Sequence, residues 1–98
     1  MISKIEREGD ADFLWFWCSP CQTHHRVPVT GSRKWEWNGS VTAPTLKPSI
    51  RVTYDIGERR KGGKAKTCHS FVTDGRIKYL DDCSHAMAGQ TVALEELP

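Results

Sequence analysis

Apolar residues along this chain come in short bursts between Gly, Pro and Asn, and no stretch repeats at the spacing of an amphipathic helix. Within the bursts, aromatic and β-branched residues alternate with polar ones, the period of a half-buried strand. Asp12 to Trp17 is nearly all apolar and reads as a strand buried on both faces or at an interface. Arg26 to Val29 is a short strand that Pro28, lacking an amide donor, restricts to a sheet edge. Arg33 to Trp37 alternates with Trp35 and Trp37 on one face and closes on Asn38-Gly39, a strong turn signal. Ser49 to Asp55 is a further strand, with Ile50, Val52 and Tyr54 on one side. Cys68–Thr73 and Arg76–Leu80 flank Asp74-Gly75, the second strong hairpin signal. A two-residue turn there pairs Thr73 with Arg76, and counting back along the ladder sets Cys68 opposite Asp81. Cys83 then falls just past the open end of the hairpin. The same register turns Cys68, Ser70 and Val72 to one face and His69, Phe71 and Thr73 to the other. Ala86 to Gln90 reads as a single helical turn, and Thr91 to Leu94 as a last short strand.

Four cysteines change the picture from a plain β domain to a stapled one. Cys18-Ser-Pro-Cys21 is a knuckle whose proline presets the turn, and Cys68 and Cys83 stand beside His69 and His85. Thiolates and imidazoles at such spacings are the ligands zinc prefers. The predicted site is one zinc ion held by Cys18, Cys21, Cys68 and Cys83, with His85 as an alternate to Cys83 and His25 or His24 as alternates to one of the others; such a closed tetrahedral site is structural. Disulfides and a redox role for the Cys18-Cys21 pair are the competing readings, the latter lacking the helix that lowers a thiol pKa in redox motifs. The expected fold class is therefore mainly β: a compact antiparallel domain of hairpins and a zinc knuckle over residues 12–98, behind a flexible arm over 1–11.

Ninety-eight residues suit one domain and leave a small core, so a metal staple helps. The net charge of +2 is too small to argue for nucleic acid. The glycine-rich basic stretch Gly57 to Lys66 has no interleaved aromatic to stack a base, and reads as a solvated connection or a contact for an acidic partner. The charged N-terminus has no apolar core, so it is no signal peptide. Phe13 to Cys18, the longest apolar run, is far below the roughly 20 residues that span a bilayer. These features point to a cytoplasmic protein.

With the thiolates spent on zinc, His24, His25, His69 and His85 remain. Serine-type catalysis needs a hydroxyl within reach of an imidazole that a third group orients. Ser49 stands where Pro48 meets a strand, a place that can fix and expose a hydroxyl. Ser70 is next to His69 in sequence, but strand alternation parts their side chains; Ser49, on a neighbouring strand, could meet His69. Asp74, Asp81 and Asp82 are available as orienting acids, besides serving turns.

Five ordered stretches carry a resemblance: Cys18 to Val29, Trp37 to Ser40, Pro44 to Ile50, Cys68 to Ile77 and Asp82 to Thr91. Over roughly residues 13–94 they resemble a family of small tailed-phage and prophage proteins, a domain of unknown function whose members often carry the name ammonia monooxygenase. That name has no physical support, since that enzyme is a membrane protein and nothing here spans a bilayer. The wider family is similar to a component of bacterial ubiquitin-like conjugation operons, a zinc-bearing serine-type peptidase. The resemblance implies removal of a ubiquitin-like tag or trimming of its C-terminal tail in the bacterial host cytoplasm. It maps onto Cys18, Cys21, His25, Ser49, Cys68 and His69. The relatives place Ser before His where this chain reads Cys68-His69-Ser70-Phe71, which leaves both Ser49 and Ser70 as nucleophile candidates.

The leading expectation is a peptidase in which Ser49 attacks, His69 takes its proton and zinc only shapes the site. A non-catalytic module that docks a protein partner through Trp15, Trp17, Trp35, Trp37 and the basic loop is the second. A zinc hydrolase with an open metal position is the third.

Overall fold

The computed structural model describes residues 1–54 and 66–98, and every regular element among them is a strand. The first sheet has the order β1 (Ser3–Glu8), β2 (Ala11–Cys18), β3 (Thr23–Pro28). The second has the order β4 (Glu36–Trp37), β5 (Leu46–Tyr54), β6 (Lys66–Thr73), β7 (Arg76–Tyr79), β8 (Thr91–Ala93). Both are antiparallel throughout. The mainly β expectation holds.

One hydrophobic core draws on both sheets. Leu14, Phe16 and Cys18 of β2 and Val27 of β3 meet Leu46, Ile50, Cys68, Val72, Ile77 and Tyr79 of the second sheet. Alternation fixes this arrangement: β2 is not buried on both faces, but buries every second residue from Leu14 to Cys18 and leaves Phe13, Trp15 and Trp17 half-buried. Burying a side chain the size of Phe16 or Leu14 stabilises the fold by about 1.5–3 kcal/mol. The β6–β7 hairpin has the register that Asp74-Gly75 predicts, from Thr73 opposite Arg76 to Ser70 opposite Tyr79. Asp74 and Gly75 both have positive φ, 49° and 76°, as a two-residue hairpin turn of this kind requires. Cys68, Ser70 and Val72 are buried, and His69, Phe71 and Thr73 face outward.

Three further expectations need correction. The arm over residues 1–11 is instead β1, paired along its whole length with β2 from Ser3 opposite Phe16 to Glu8 opposite Ala11. This strand hides from a hydrophobic-period reading because it is a sheet edge: only Ser3 is buried, and Glu6, Arg7 and Glu8 face water. Backbone hydrogen bonds and cross-strand charge hold it, including an Arg26–Glu8 ion pair and Lys4 over the Trp15 ring. The strand read over Arg33–Trp37 is only Glu36–Trp37, since the amide of Trp35 turns back to the carbonyl of Pro28. Residues 86–89 form turns rather than a helical element. The basic stretch read at 57–66 lies, apart from Lys66, outside the described residues.

Candidate functional site

Two clusters sit back to back on β6. Cys68 points inward and His69, the next residue, points outward, so one strand serves both.

On the inner side, the donor atoms of Cys18, Cys21, Cys68 and His85 all lie within 4.8 Å of one another. Cys18 ends β2, and the turn that follows brings Cys21 back, with Gln22 at a φ of 54° and its amide bonded to the carbonyl of Ser19. Cys68 comes across from the second sheet. His85 arrives on the turns after β7, its ring edge-on to Tyr79 at 4.7 Å. A metal with thiolate bonds of about 2.3 Å at tetrahedral angles sets its sulfurs about 3.8 Å apart. Cys18 and Cys68 stand 3.9 Å apart, close to that span and far beyond a disulfide's about 2.05 Å. Nε2 of His85 is buried with no hydrogen-bond partner among the described residues, as a ligating nitrogen kept for a metal would be. The residues thus fit a metal ion.

The shared hydrogen bond drives the Cys18 and Cys68 thiols in opposite directions. The hydrogen bond from Cys68 holds the Cys18 thiol down, to about 3, against burial, with His25 and the Tyr79 hydroxyl adding to the effect. The Cys68 thiol is pushed far up, first by that same shared hydrogen bond and then by burial. Burial and the Cys18 thiolate do the same to Tyr79. His25 is buried on the Cys18 face of the sheet but stands outside the group of four.

Cys83, expected as the fourth thiolate, is not in the group; the alternate, His85, takes that place. The chain leaves β7 at Leu80 through a turn in which the Cys83 amide bonds to the Leu80 carbonyl at 3.1 Å. Strand counting stops being a guide there. Cys83 comes to rest against the backbone of His69 instead.

On the outer side, Ser49 Oγ lies 3.0 Å from Nε2 of His69. Nδ1 of the same ring lies 3.1 Å from Asp82 Oδ2 and 3.2 Å from Oδ1. A carboxylate only accepts, so Nδ1 carries the proton and Nε2 is left to accept from the Ser49 hydroxyl. Ser49 follows a cis Lys47–Pro48 bond at a register shift between Leu46 and Ile50, where β5 bulges from its pairing with β6. The indole N–H of Trp35 reaches the carbonyls of Pro48 and Ser49, at 3.1 and 3.3 Å, and pins that segment from the other side. Asp82 is the third residue of the turn that leaves β7, which aims its carboxylate back at β6.

Of the predicted nucleophiles, then, Ser49 is brought to His69 and Ser70 is not. Ser70 is buried on the opposite face, its hydroxyl without a hydrogen-bond partner among the described residues. Asp82 is the acid selected from three; Asp74 takes up the β6–β7 turn and bonds Thr45. Sequence reading missed the role of Trp35. Its only signal was an indole placed before the Pro44–Ile50 stretch.

A sequence-family model described as bacterial ubiquitination-like system serine protease (BubE) matches residues 1–80. The matched span holds Ser49, His69 and three of the four clustered donors, and stops short of Asp82 and His85. No curated protein and no solved structure matches the chain. Among the described residues, no helix is long and apolar enough to cross a membrane.

Proposed function

The chain belongs to the bacterial ubiquitination-like system serine protease (BubE) family, and on that premise we propose that Ser49, His69 and Asp82 form the catalytic triad of a peptidase acting on the C-terminal tail of a ubiquitin-like protein. The observation that carries this reading is the Ser49–His69–Asp82 chain of contacts at 3.0 and 3.1 Å. Ser49 Oγ attacks the carbonyl carbon at the end of the tail while Nε2 of His69 takes its proton. Asp82 keeps the ring in the required tautomer and stabilises the imidazolium. Collapse of the tetrahedral adduct expels the amine, which leaves with the proton from Nε2. Water then attacks the acyl-serine ester, again giving its proton to Nε2, and returns Ser49 to the hydroxyl form. The family match supports a ubiquitin-like partner and a bacterial setting for this chemistry.

Cys18, Cys21, Cys68 and His85 would hold a zinc ion, chosen because three thiolates and an imidazole are a donor set it favours. Bound there, it supplies a cross-link between the two sheets rather than a Lewis acid, since four protein donors leave no place for water. The chemistry stays on the far face of β6.

Ser49→Ala tests the reading. It is expected to keep one equivalent of metal and the melting temperature while losing cleavage of a ubiquitin-like fusion by at least about a thousandfold. Cleavage that survives at near wild-type rate removes Ser49 as the nucleophile.

A further inference from the structure

His69 sits where its strand loses its neighbour. The β6–β7 ladder runs from Thr73–Arg76 to Ser70–Tyr79, and its next step would pair His69 with Leu80. Only half of that step is made. The Leu80 amide bonds to the His69 carbonyl at 2.8 Å, but the Leu80 carbonyl turns away and accepts from the Cys83 amide. The His69 N–H, which a continuing strand would satisfy through Leu80, needs another acceptor.

Cys83 supplies it. Its Sγ accepts from the His69 N–H at 3.2 Å and donates to the His69 carbonyl at 3.2 Å. One half-buried thiol thereby grips both polar groups of the residue that carries the imidazole. The next residue continues the hold: the Ser84 amide bonds to the Thr67 carbonyl, and the Thr67 amide to Ser84 Oγ, both at 2.9 Å. The segment from Asp82 to Ser84 is thus laid along β6, with Asp82 on the ring of His69, Cys83 on its backbone and Ser84 one step beyond.

We infer that Cys83 is a positioning residue, outside the metal shell, whose thiol replaces the missing ladder carbonyl and holds the His69 ring between Ser49 and Asp82. The inference rests on the triad reading above. A thiol or hydroxyl can play this double role, since each donates and accepts; a methyl can do neither. The inner cluster adjoins the triad along the chain, through His85 just after this segment and Cys68 beside His69.

The test compares Cys83→Ala and Cys83→Ser in the full-length, metal-loaded protein. Cys83→Ala is expected to keep one equivalent of zinc and an unchanged KM for a ubiquitin-like fusion, with kcat lowered about tenfold by the loss of one anchoring contact. Cys83→Ser is expected to recover much of that loss. Zinc content that falls with Cys83→Ala, or a kcat that does not move, overturns the inference. A second readout does not need activity. The Nδ1 proton of His69, hydrogen-bonded to Asp82, is expected as a downfield NMR signal in the wild type and to exchange faster in Cys83→Ala; an unchanged signal overturns the positioning role. A wild type that cleaves no better than Ser49→Ala would instead defeat the triad reading, and the NMR comparison would still judge Cys83.

Discussion

Replacing Asp82 with alanine isolates the contribution of the orienting carboxylate, and its size can be worked from the geometry. In the proposed mechanism, attack by Ser49 turns His69 into an imidazolium, and the Asp82 carboxylate stands 3.1 Å from its Nδ1. Two unit charges at that distance attract by about 5 kcal/mol at an effective dielectric of about 20, and by about 1.3 kcal/mol in water. The Asp82 side chain is 52% exposed and that of His69 24%, so the pair lies toward the watery end. Asp82→Ala should therefore raise the barrier by about 1.4 to 2.7 kcal/mol, on the order of 10- to 100-fold in kcat/KM. That is well below the roughly ten-thousandfold loss expected of a buried triad carboxylate. The assay is cleavage of a ubiquitin-like fusion by wild type and variant at low and at about 1 M salt. The gap should narrow a few-fold in high salt, where the screening length falls to about 3 Å. Thermal stability should change by less than about 1 kcal/mol, because a part-exposed pair contributes little to folding. Asp81→Ala is the control: its carboxylate lies by Gly89, away from His69, and it should leave kcat/KM in place. Equal activity in wild type and Asp82→Ala would remove Asp82 from the triad, and a ten-thousandfold loss would refute the exposure argument.

Two further outcomes follow from the cluster and the hairpin. His85→Ala should reduce bound metal below one equivalent and lower the melting point, and Cys68→Ser should do the same, whereas Cys83→Ala should keep its full metal; metal analysis reads all three and thermal melts the first two, and full metal in His85→Ala would break the assignment. Gly75→Ala should destabilise by about 1–2 kcal/mol in a denaturant titration, because φ is +76° and the added Cβ would stand 3.1 Å from the Ala43 Cα; no change would mean that the hairpin relaxes around it.

What the sequence could and could not reveal divides at Leu80. Up to that residue, alternation and two-residue turns carry the placement. Asp74-Gly75 sets the β6–β7 register, and that register sends Cys68 and His69 to opposite faces and so parts Ser70 from His69; the contact of Ser49 with His69 depends besides on the irregularity of β5 between Leu46 and Ile50, which apolar spacing does not record. Beyond Leu80 no period exists. Whether Cys83 or His85 completes the cluster, and which of three aspartates reaches His69, depends on the backbone angles of one turn, and apolar spacing carries no record of those. The N-terminal strand escaped for a related reason. An edge strand held by backbone pairing and charge needs no hydrophobic stripe, and only the Gly9-Asp10 turn, with Gly9 at a φ of 63°, signalled it.

Cys18 and Cys68 touch across fifty positions of sequence, and the last donor, His85, comes later still. As the chain leaves the ribosome, Ser49 and His69 are therefore made before Asp82 and His85. A nascent peptide that ends at residue 80 has its hydroxyl and its imidazole but neither the carboxylate nor the fourth donor. On the proposed reading, both clusters therefore wait for the same short stretch, residues 82–85, before either is complete.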